Sequence, residues 1–208
     1  MIYRAPDYPK AFDWEFYKDR EAVDHWNQPG YHHERLEAAL QLMMTTIKIC
    51  GLSPKSVADF ACGAGGLLGQ IKKIASPKVK LWGYDISPLA LAYAREIYGV
   101  DAHLADITQQ GLIPIVYVQP LIEYPEWLIL TETLEHLLNP VELLVRARQE
   151  GVRYVLASVP AYEDAACSEH HNWAWTDDSF GTMFEFCGYK LLTQEVAFNT
   201  QYVIGAAS

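Results

Sequence analysis

Two patterns of hydrophobic and polar positions alternate along the chain. From residue 56 onward, short apolar runs of strand length are followed by stretches in which apolar residues recur every three or four positions, as on one face of a helix. Strands are predicted at residues 57–61, 80–85, 102–106, 127–131, 153–160, 189–197 and 201–206. The last two are adjacent and joined by a turn near Asn199. This order predicts an α/β fold, a mainly parallel seven-stranded sheet with helices on both faces and a C-terminal antiparallel hairpin.

Capping residues mark where the helices begin. Ser87 and Asn139 are good N-cap residues, and each is followed by a proline, which suits the first helical position. Thr176 precedes an apolar stripe of helical spacing in the same way. Helices are therefore predicted at about residues 88–98, 140–150 and 177–187, and a further apolar stripe predicts one at residues 31–50. Residues 108–126, apolar but broken by three prolines, are interpreted as an irregular crossover or one with a short helix.

The stretch of residues 56–70, SVADFACGAGGLLGQ, is typical of a strand, a glycine turn and a helix. Gly63, Gly65 and Gly66 allow a tight turn and let a ligand lie against bare backbone. The start of the helix leaves N–H groups with a partial positive charge, which suit an anionic group. The stretch predicts a ligand-binding loop.

Two further strands are predicted to end in an acid. Asp85 follows Gly65 by about 20 residues, the spacing at which an acid at the tip of the second strand accepts hydrogen bonds from ribose hydroxyls. Asp106 ends the third predicted strand, where a carboxylate can accept a hydrogen bond from an exocyclic amine such as that of adenine. Two such acids behind a glycine turn favour a nucleoside site over ordinary loop solvation.

These elements together resemble the class I S-adenosylmethionine (SAM)-dependent methyltransferases, whose first motif is D-x-G-x-G-x-G. Ala61 stands where the first glycine of that motif usually stands, which should limit how closely the backbone approaches the ligand. The resemblance covers roughly residues 31–208. It implies a Rossmann-like fold, SAM as cofactor and S-adenosylhomocysteine (SAH) as product. By position, the implied SAM-binding residues are Asp59 at the ammonium group, Ala61, Gly63 and Gly65 beside the methionine part, Asp85 at the ribose, Ile86, Asp106 and Ile107 at the adenine, and Thr131 near the methyl group.

The stretch TETLEHLLNP at residues 131–140 resembles a signature common in the same superfamily. Glu132 is expected to border the sulfonium, and His136 or one of His170 and His171 to orient or deprotonate the acceptor, because histidine titrates near neutral pH. Together with HHNWAWT at residues 170–176, the stretch also resembles metal-dependent RNA 2′-O-methyltransferases, in which Glu132, Glu135, His136 and His171 would hold a divalent ion. Glu132, Glu135 and His136 would then share one helical face, and mixed nitrogen and oxygen ligands suit such an ion. Both stretches also occur in metal-free relatives, so we predict no metal site and keep the RNA enzyme as an alternative.

Charge and composition limit which classes of methyl acceptor and which cellular compartments are expected. The chain of 208 residues has 26 acidic and 16 basic residues and a net charge of −10, which argues against a broad phosphate-binding face. A small-molecule acceptor with an oxygen or nitrogen nucleophile is therefore favoured over a nucleic acid. The chain shows no C-x-x-C pair, no signal-peptide pattern at its start and no apolar stretch of about 20 residues, which predicts a cytoplasmic protein without a membrane segment.

Two other functions fit parts of the sequence: a nicotinamide-binding domain and a SAM-binding subunit without activity. A nicotinamide-binding Rossmann domain is disfavoured, because its fingerprint started at Gly63 requires glycine where this chain has Leu68. A SAM-binding partner subunit that does not catalyse is compatible with the sequence.

Residues 1–50 are predicted to form an aromatic-rich extension and a helix. This region either packs on the sheet or covers the cleft as a lid that carries Tyr31, His32 and His33. Residues 51–208 are predicted to form the SAM-binding domain.

Overall fold

A computed structural model describes residues 2–4, 24–107, 124–162 and 171–208. Its strands are β1 (Ile2–Arg4), β2 (Ser56–Phe60), β3 (Lys80–Asp85), β4 (Asp101–Leu104), β5 (Trp127–Thr131), β6 (Tyr154–Pro160), β7 (Trp173–Trp175), β8 (Tyr189–Ala197) and β9 (Thr200–Ala207). Its helices are α1 (Tyr31–Ile49), α2 (Gly66–Ile74), α3 (Pro88–Tyr98), α4 (Pro140–Gln149) and α5 (Asp177–Phe186), with a short 3-10 helix at Leu134–His136. The predicted crossover at residues 108–126 and the aromatic extension before residue 24 fall almost entirely outside these ranges.

The main sheet has seven strands in the order β4-β3-β2-β5-β6-β9-β8. The five strands from β4 to β6 run parallel, and β9 pairs antiparallel with both β6 and β8. This arrangement confirms the predicted mainly parallel sheet with a C-terminal antiparallel hairpin. The chain passes from β2 to β3 on one side and later returns to β5 on the other side of β2, which places a topological switch point between β2 and β5.

Helices cover both faces of the sheet because neighbouring strand residues point to opposite sides. Val57 and Trp127 pack with α1, α2 and α3 in one core cluster, whereas Ala58 and Leu128 pack with α4 and α5 in the other. Helix α1 contributes four buried hydrophobic residues to the first cluster: Ala39, Leu40, Leu42 and Met43. Residues 31–49 are therefore part of the packed core of the sheet.

Three helices begin at the capping residues that the sequence predicts. The side chains of Ser87 and Asn139 accept hydrogen bonds from the first turns of α3 and α4, at 3.2 and 3.1 Å. Thr176 and Ser179 form a reciprocal capping box at the start of α5. Strand β4 differs from the prediction and ends at Leu104, since its partner β3 ends at Asp85, so Asp106 lies in the following loop.

A second, two-stranded sheet joins β1 to β7, with Ile2 opposite Trp175 and Arg4 opposite Trp173. The sequence analysis predicted neither of these short strands, because three residues are too few to show a period. None of the helices in the described ranges has the length and apolarity needed to cross a bilayer.

Candidate active site

The carboxyl ends of β2 and β5 form the crevice at the switch point of the sheet, where open α/β sheets bind their ligands. The first residue after each strand has a left-handed backbone although neither is a glycine: Ala61 has φ 62° and Glu132 has φ 50°. Such conformations cost about 1–3 kcal/mol each and are concentrated at functional sites. Two of them on opposite sides of one crevice identify it as the candidate site.

The glycine loop lies on the β2 side of the crevice. Gly65 has φ 77° and packs so closely on α3 that an added Cβ would lie 2.7 Å from the Cβ of Ala94. Gly63 has φ 54°, and an added Cβ would meet no atom of the described residues within 4 Å. Gly65 therefore fixes the loop against the neighbouring helix, while Gly63 has open space beside its Cα among the described residues.

Asp85 holds this loop at the tip of β3. Its Oδ2 accepts a hydrogen bond from the N–H of Gly63 and its Oδ1 from the N–H of Ser87, both at 2.8 Å. Burial raises the pKa of Asp85, and these backbone hydrogen bonds oppose that rise. Each carboxylate oxygen has a second lone pair, so both oxygens can accept a further hydrogen bond from a hydroxyl group.

Asp59 lies beneath the loop near the end of β2 and is 2% exposed. Its Oδ1 is buried without a hydrogen-bond partner among the described residues. Burial raises the pKa of Asp59 well above its usual value, and the negative charge of Asp85 adds to that rise. Since buried carboxylate oxygens are normally hydrogen-bonded, this atom is suited to a cationic donor such as an ammonium group.

The three residues predicted to contact adenine lie at the same edge of the sheet. The N–H of Ala105 donates to the carbonyl oxygen of Asp85 at 2.9 Å, which joins the loop after β4 to the tip of β3. Ile86, Asp106 and Ile107 are all partly buried in this region. The structure thus brings together the predicted ribose and adenine residues, which lie at the end of β3 and in the loops after β3 and β4.

Glu132 lies on the β5 side of the crevice in a buried ion pair. Its Oε2 is 2.6 Å from Nη1 of Arg35 on α1, and the two side chains are only 13% and 11% exposed. Its Oε1 accepts a hydrogen bond from the hydroxyl of Ser158 at 3.1 Å, and its N–H donates to the carbonyl oxygen of Ser158 at 2.9 Å. Burial raises the pKa of Glu132, while Arg35 and Ser158 oppose that rise.

Arg35 is a site residue that the sequence analysis missed. The hydroxyl of Tyr202 on β9 donates to the carbonyl oxygen of Arg35 at 3.0 Å, and the Arg35 guanidinium carbon lies 5.4 Å from the centre of the Tyr31 ring. The hydroxyl of Tyr31 is 3.3 Å from Oγ1 of Thr200. A signal existed, since Tyr31 and Arg35 are four residues apart and share one face of α1.

The two predicted catalytic histidines lie side by side. The rings of His136 and His171 have centroids 4.8 Å apart and are nearly perpendicular. Asn172 holds them together, because its N–H donates to the carbonyl oxygen of Glu135 at 2.7 Å and its Nδ2 to that of His136 at 2.8 Å. His171 is also close enough to Glu132 to lower the pKa of that carboxyl group. The three predicted catalytic residues therefore belong to one cluster.

Three of the four residues of the alternative metal set also converge. One potential ligand atom each from Glu135, His136 and His171 lie within 4.8 Å of one another. Glu132 is not in this group, because it precedes the 3-10 helix in a left-handed conformation and pairs with Arg35. The helical face expected for Glu132, Glu135 and His136 is therefore not formed.

In comparisons by sequence, no protein-family model and no curated protein matches the chain. Solved structures do match it. The N-methyltransferase NodS from Bradyrhizobium japonicum, solved with SAH, aligns at 11% identity with a TM-score of 0.68, over 93% of this chain and 96% of that one. The magnesium protoporphyrin IX methyltransferase ChlM from Synechocystis, also solved with SAH, aligns at 11% identity with a TM-score of 0.64. The alignment covers 88% of this chain and 91% of that one.

These likenesses establish the fold, and the chain has the seven-stranded fold of the class I SAM-dependent methyltransferases. The resemblance predicted from the sequence is confirmed at that level. The cyclase SpnF also aligns, at 12% identity with a TM-score of 0.56, over 86% of this chain and 64% of that one. Function must therefore be argued from the site and not from the fold.

Proposed function

We propose that this protein binds SAM in the crevice between β2 and β5 and transfers its methyl group to an oxygen or nitrogen nucleophile of a small-molecule acceptor. The observation that carries the proposal is the glycine loop, which Asp85 holds beside Oδ1 of Asp59, a buried oxygen without a hydrogen-bond partner among the described residues. Two of the structural neighbours, NodS and ChlM, were solved with SAH, which supports the same ligand here.

The residues of the crevice fit the parts of this cofactor. Asp59 offers its buried oxygen to the ammonium group, and the open backbone at Gly63 leaves room for the methionine part. Asp85 accepts hydrogen bonds from the ribose hydroxyls through the lone pairs that the loop leaves free. Ile86 and Ile107 pack beside the adenine, and Asp106 accepts from its exocyclic amine.

The cofactor supplies a methyl group on a strong leaving group, so the protein has to align the acceptor and remove its proton. Thr131 and Glu132 border the reacting centre at the end of β5. His136 and His171 are the candidate bases, because a neutral imidazole can take a proton from the acceptor as it reacts. A base in this role contributes about 10²–10⁴-fold to the rate, and alignment contributes further by restricting the approach of the nucleophile.

A metal-dependent RNA 2′-O-methyltransferase is the second candidate, because Glu135, His136 and His171 converge. Two observations argue against this candidate. The guanidinium of Arg35 already balances Glu132, the fourth residue of the metal set, which favours a metal-free site. The net charge of −10 opposes the binding of an RNA backbone. We expect no stoichiometric Mg²⁺, Mn²⁺ or Zn²⁺ in the purified protein, and elemental analysis checks this.

Residues 24–30, which precede α1, are proposed as the described end of a lid. Trp26 packs on the start of α2, where an added Cβ at Gly66 would lie 2.5 Å from the Cβ of Trp26. The carboxylate of Asp24 accepts hydrogen bonds from the hydroxyls of Tyr98, at 2.7 Å, and Tyr93, at 3.2 Å. These contacts hold the segment beside the glycine loop, where its movement would open or close the crevice.

Calorimetry with SAM and SAH tests the proposed binding. Asp85→Ala is expected to weaken binding by about 1.5–3 kcal/mol, because the ribose hydroxyls lose their hydrogen bonds to a charged acceptor. Asp101→Ala is a matched control, because it removes the same charge from an exposed position at the start of β4, the end of that strand away from the crevice. An absence of binding by the wild type, or equal affinities of the two variants, would refute the proposal.

Transfer is tested with SAM labelled at its methyl group and a cellular extract. Label in the small-molecule fraction supports the proposed reaction, and label in RNA supports the second candidate. If SAM binds but label reaches no fraction, the chain is better explained as a SAM-binding partner subunit.

A further inference from the structure

Two buried polar atoms on the first turns of α1 have no hydrogen-bond partner in the described parts of the chain: Nε of Arg35 and Nδ1 of His32. Buried side-chain polar atoms are hydrogen-bonded in the large majority of cases, so each exception calls for an explanation. The two residues are three positions apart and lie on one face of α1. His25 links them, since its ring stacks on that of His32 at 4.4 Å and its Nδ1 lies 3.5 Å from Nη2 of Arg35.

The position of Arg35 is fixed by contacts that do not use its Nε–H, the donor without a partner among the described residues. Nη1 pairs with Glu132, the backbone carbonyl accepts from Tyr202, and the guanidinium lies near the Tyr31 ring. A guanidinium held this way presents its Nε–H in a set direction at little further cost in side-chain entropy. The guanidinium as a whole lies beside Glu132 on the β5 side of the crevice, opposite the loop where we place the cofactor.

The chemistry of these atoms limits what they can bind. Arg35 can only donate, so its partner must be an oxygen or another hydrogen-bond acceptor. Burial and the charge of Arg35 lower the pKa of His32, so its ring is neutral at neutral pH and adds no positive charge. Glu132 already balances Arg35, and Glu135 is a second carboxyl group near enough to raise the pKa of Tyr31. A further anion would therefore be repelled, whereas an uncharged oxygen would not.

We propose that Arg35 and His32 form an acceptor subsite that binds an uncharged oxygen, a carbonyl or a hydroxyl, of the methyl acceptor. The subsite rests on the proposed function and extends it, because it assigns the acceptor a neutral polar group next to the atom that is methylated. The Nε–H of Arg35 donates to this oxygen, and Nδ1 of His32 makes the second hydrogen bond. The pairing of Arg35 with Glu132 keeps the donor in place.

Arginine side-chain NMR tests the subsite without a known acceptor. The Nε–Hε signal of Arg35 is assigned by its loss in Arg35→Lys, in protein saturated with SAH. Acetamide, a neutral carbonyl compound, is then titrated to several hundred millimolar, and acetate, of the same size but charged, is titrated in parallel. The signal of Arg153, which pairs with Glu126 on the surface, is the internal control.

We expect acetamide to shift the Arg35 signal with saturation, acetate to bind at least tenfold more weakly, and Arg153 to respond to neither. His32→Phe keeps a ring against His25 but removes Nδ1, and it should weaken acetamide binding by about tenfold, the loss of one hydrogen bond of about 1.4 kcal/mol. Equal binding of acetate, or no response of Arg35 to acetamide, would overturn the subsite. SAH binding is measured on the same sample, so a failure of the cofactor proposal is seen separately.

Discussion

The ion pair between Arg35 and Glu132 should couple α1 to the loop after β5, and a double-mutant cycle measures that coupling. The variants are Arg35→Met, Glu132→Gln and the two combined. Each single change leaves one buried charge without its partner, because the two side chains are only 11% and 13% exposed. The combined change removes both charges. We therefore expect the double variant to be less destabilised than the sum of the two single variants.

The magnitude follows from the 2.6 Å separation of Nη1 and Oε2. At an effective dielectric constant of about 20, the attraction is about 6 kcal/mol, and the cost of taking both charges out of water offsets much of it. Arg35→Met should lower the free energy of unfolding by about 3–5 kcal/mol. Glu132→Gln should cost about 2 kcal/mol, because the amide oxygen can still accept from the guanidinium. The expected coupling energy is about 2–3 kcal/mol.

Urea denaturation followed by circular dichroism gives the four free energies. The pair between Arg153 and Glu126 is a matched control, at 3.1 Å but with the Arg153 side chain 63% exposed. Its coupling energy should stay below about 1 kcal/mol, as for other surface ion pairs. A coupling energy for Arg35 and Glu132 no larger than that of the control would refute the reasoning, because burial would then not strengthen the pair.

Three further outcomes are expected. Asp59→Asn should stabilise the ligand-free protein at neutral pH. Burial gives Asp59 a raised pKa in the folded state, so the free energy of unfolding of the wild type should fall as pH rises from about 4 towards that pKa, by up to about 1.4 kcal/mol for each pH unit. Urea denaturation at several pH values checks this, and an Asn variant with the same pH slope as the wild type would contradict it. Residues 1–35 should be cleaved more slowly by protease when SAH is present, whereas equal rates would favour plain packing over a lid. His136→Ala and His171→Ala should each slow transfer about 10²–10⁴-fold with nearly unchanged SAM affinity, and a chelator should not change the rate. Loss of SAM affinity in either variant would argue for a structural role.

Local patterns in the sequence predict much of the fold. The seven strands of the main sheet have four or more residues each and were found from the sequence. Helices α3, α4 and α5 begin at the expected capping side chains of Ser87, Asn139 and Thr176. The sequence also predicts the glycine loop after β2 and the acid at the end of β3, because each is recognised from residues near the end of its own strand. Such features are encoded within a few residues of where they act, so one sequence is enough to find them.

Tertiary structure decided the contacts that join distant parts of the chain. Arg35 meets Glu132 only because α1 packs across the sheet next to β6 and β9, a placement that no spacing in the sequence encodes. His171 reaches His136 because Asn172 binds the backbone of the 3-10 helix. Glu132 itself leaves the expected helical face because its N–H pairs with Ser158 on the neighbouring strand. Periodicity reports which face of an element is buried, whereas the partner of a buried charge depends on how the elements pack.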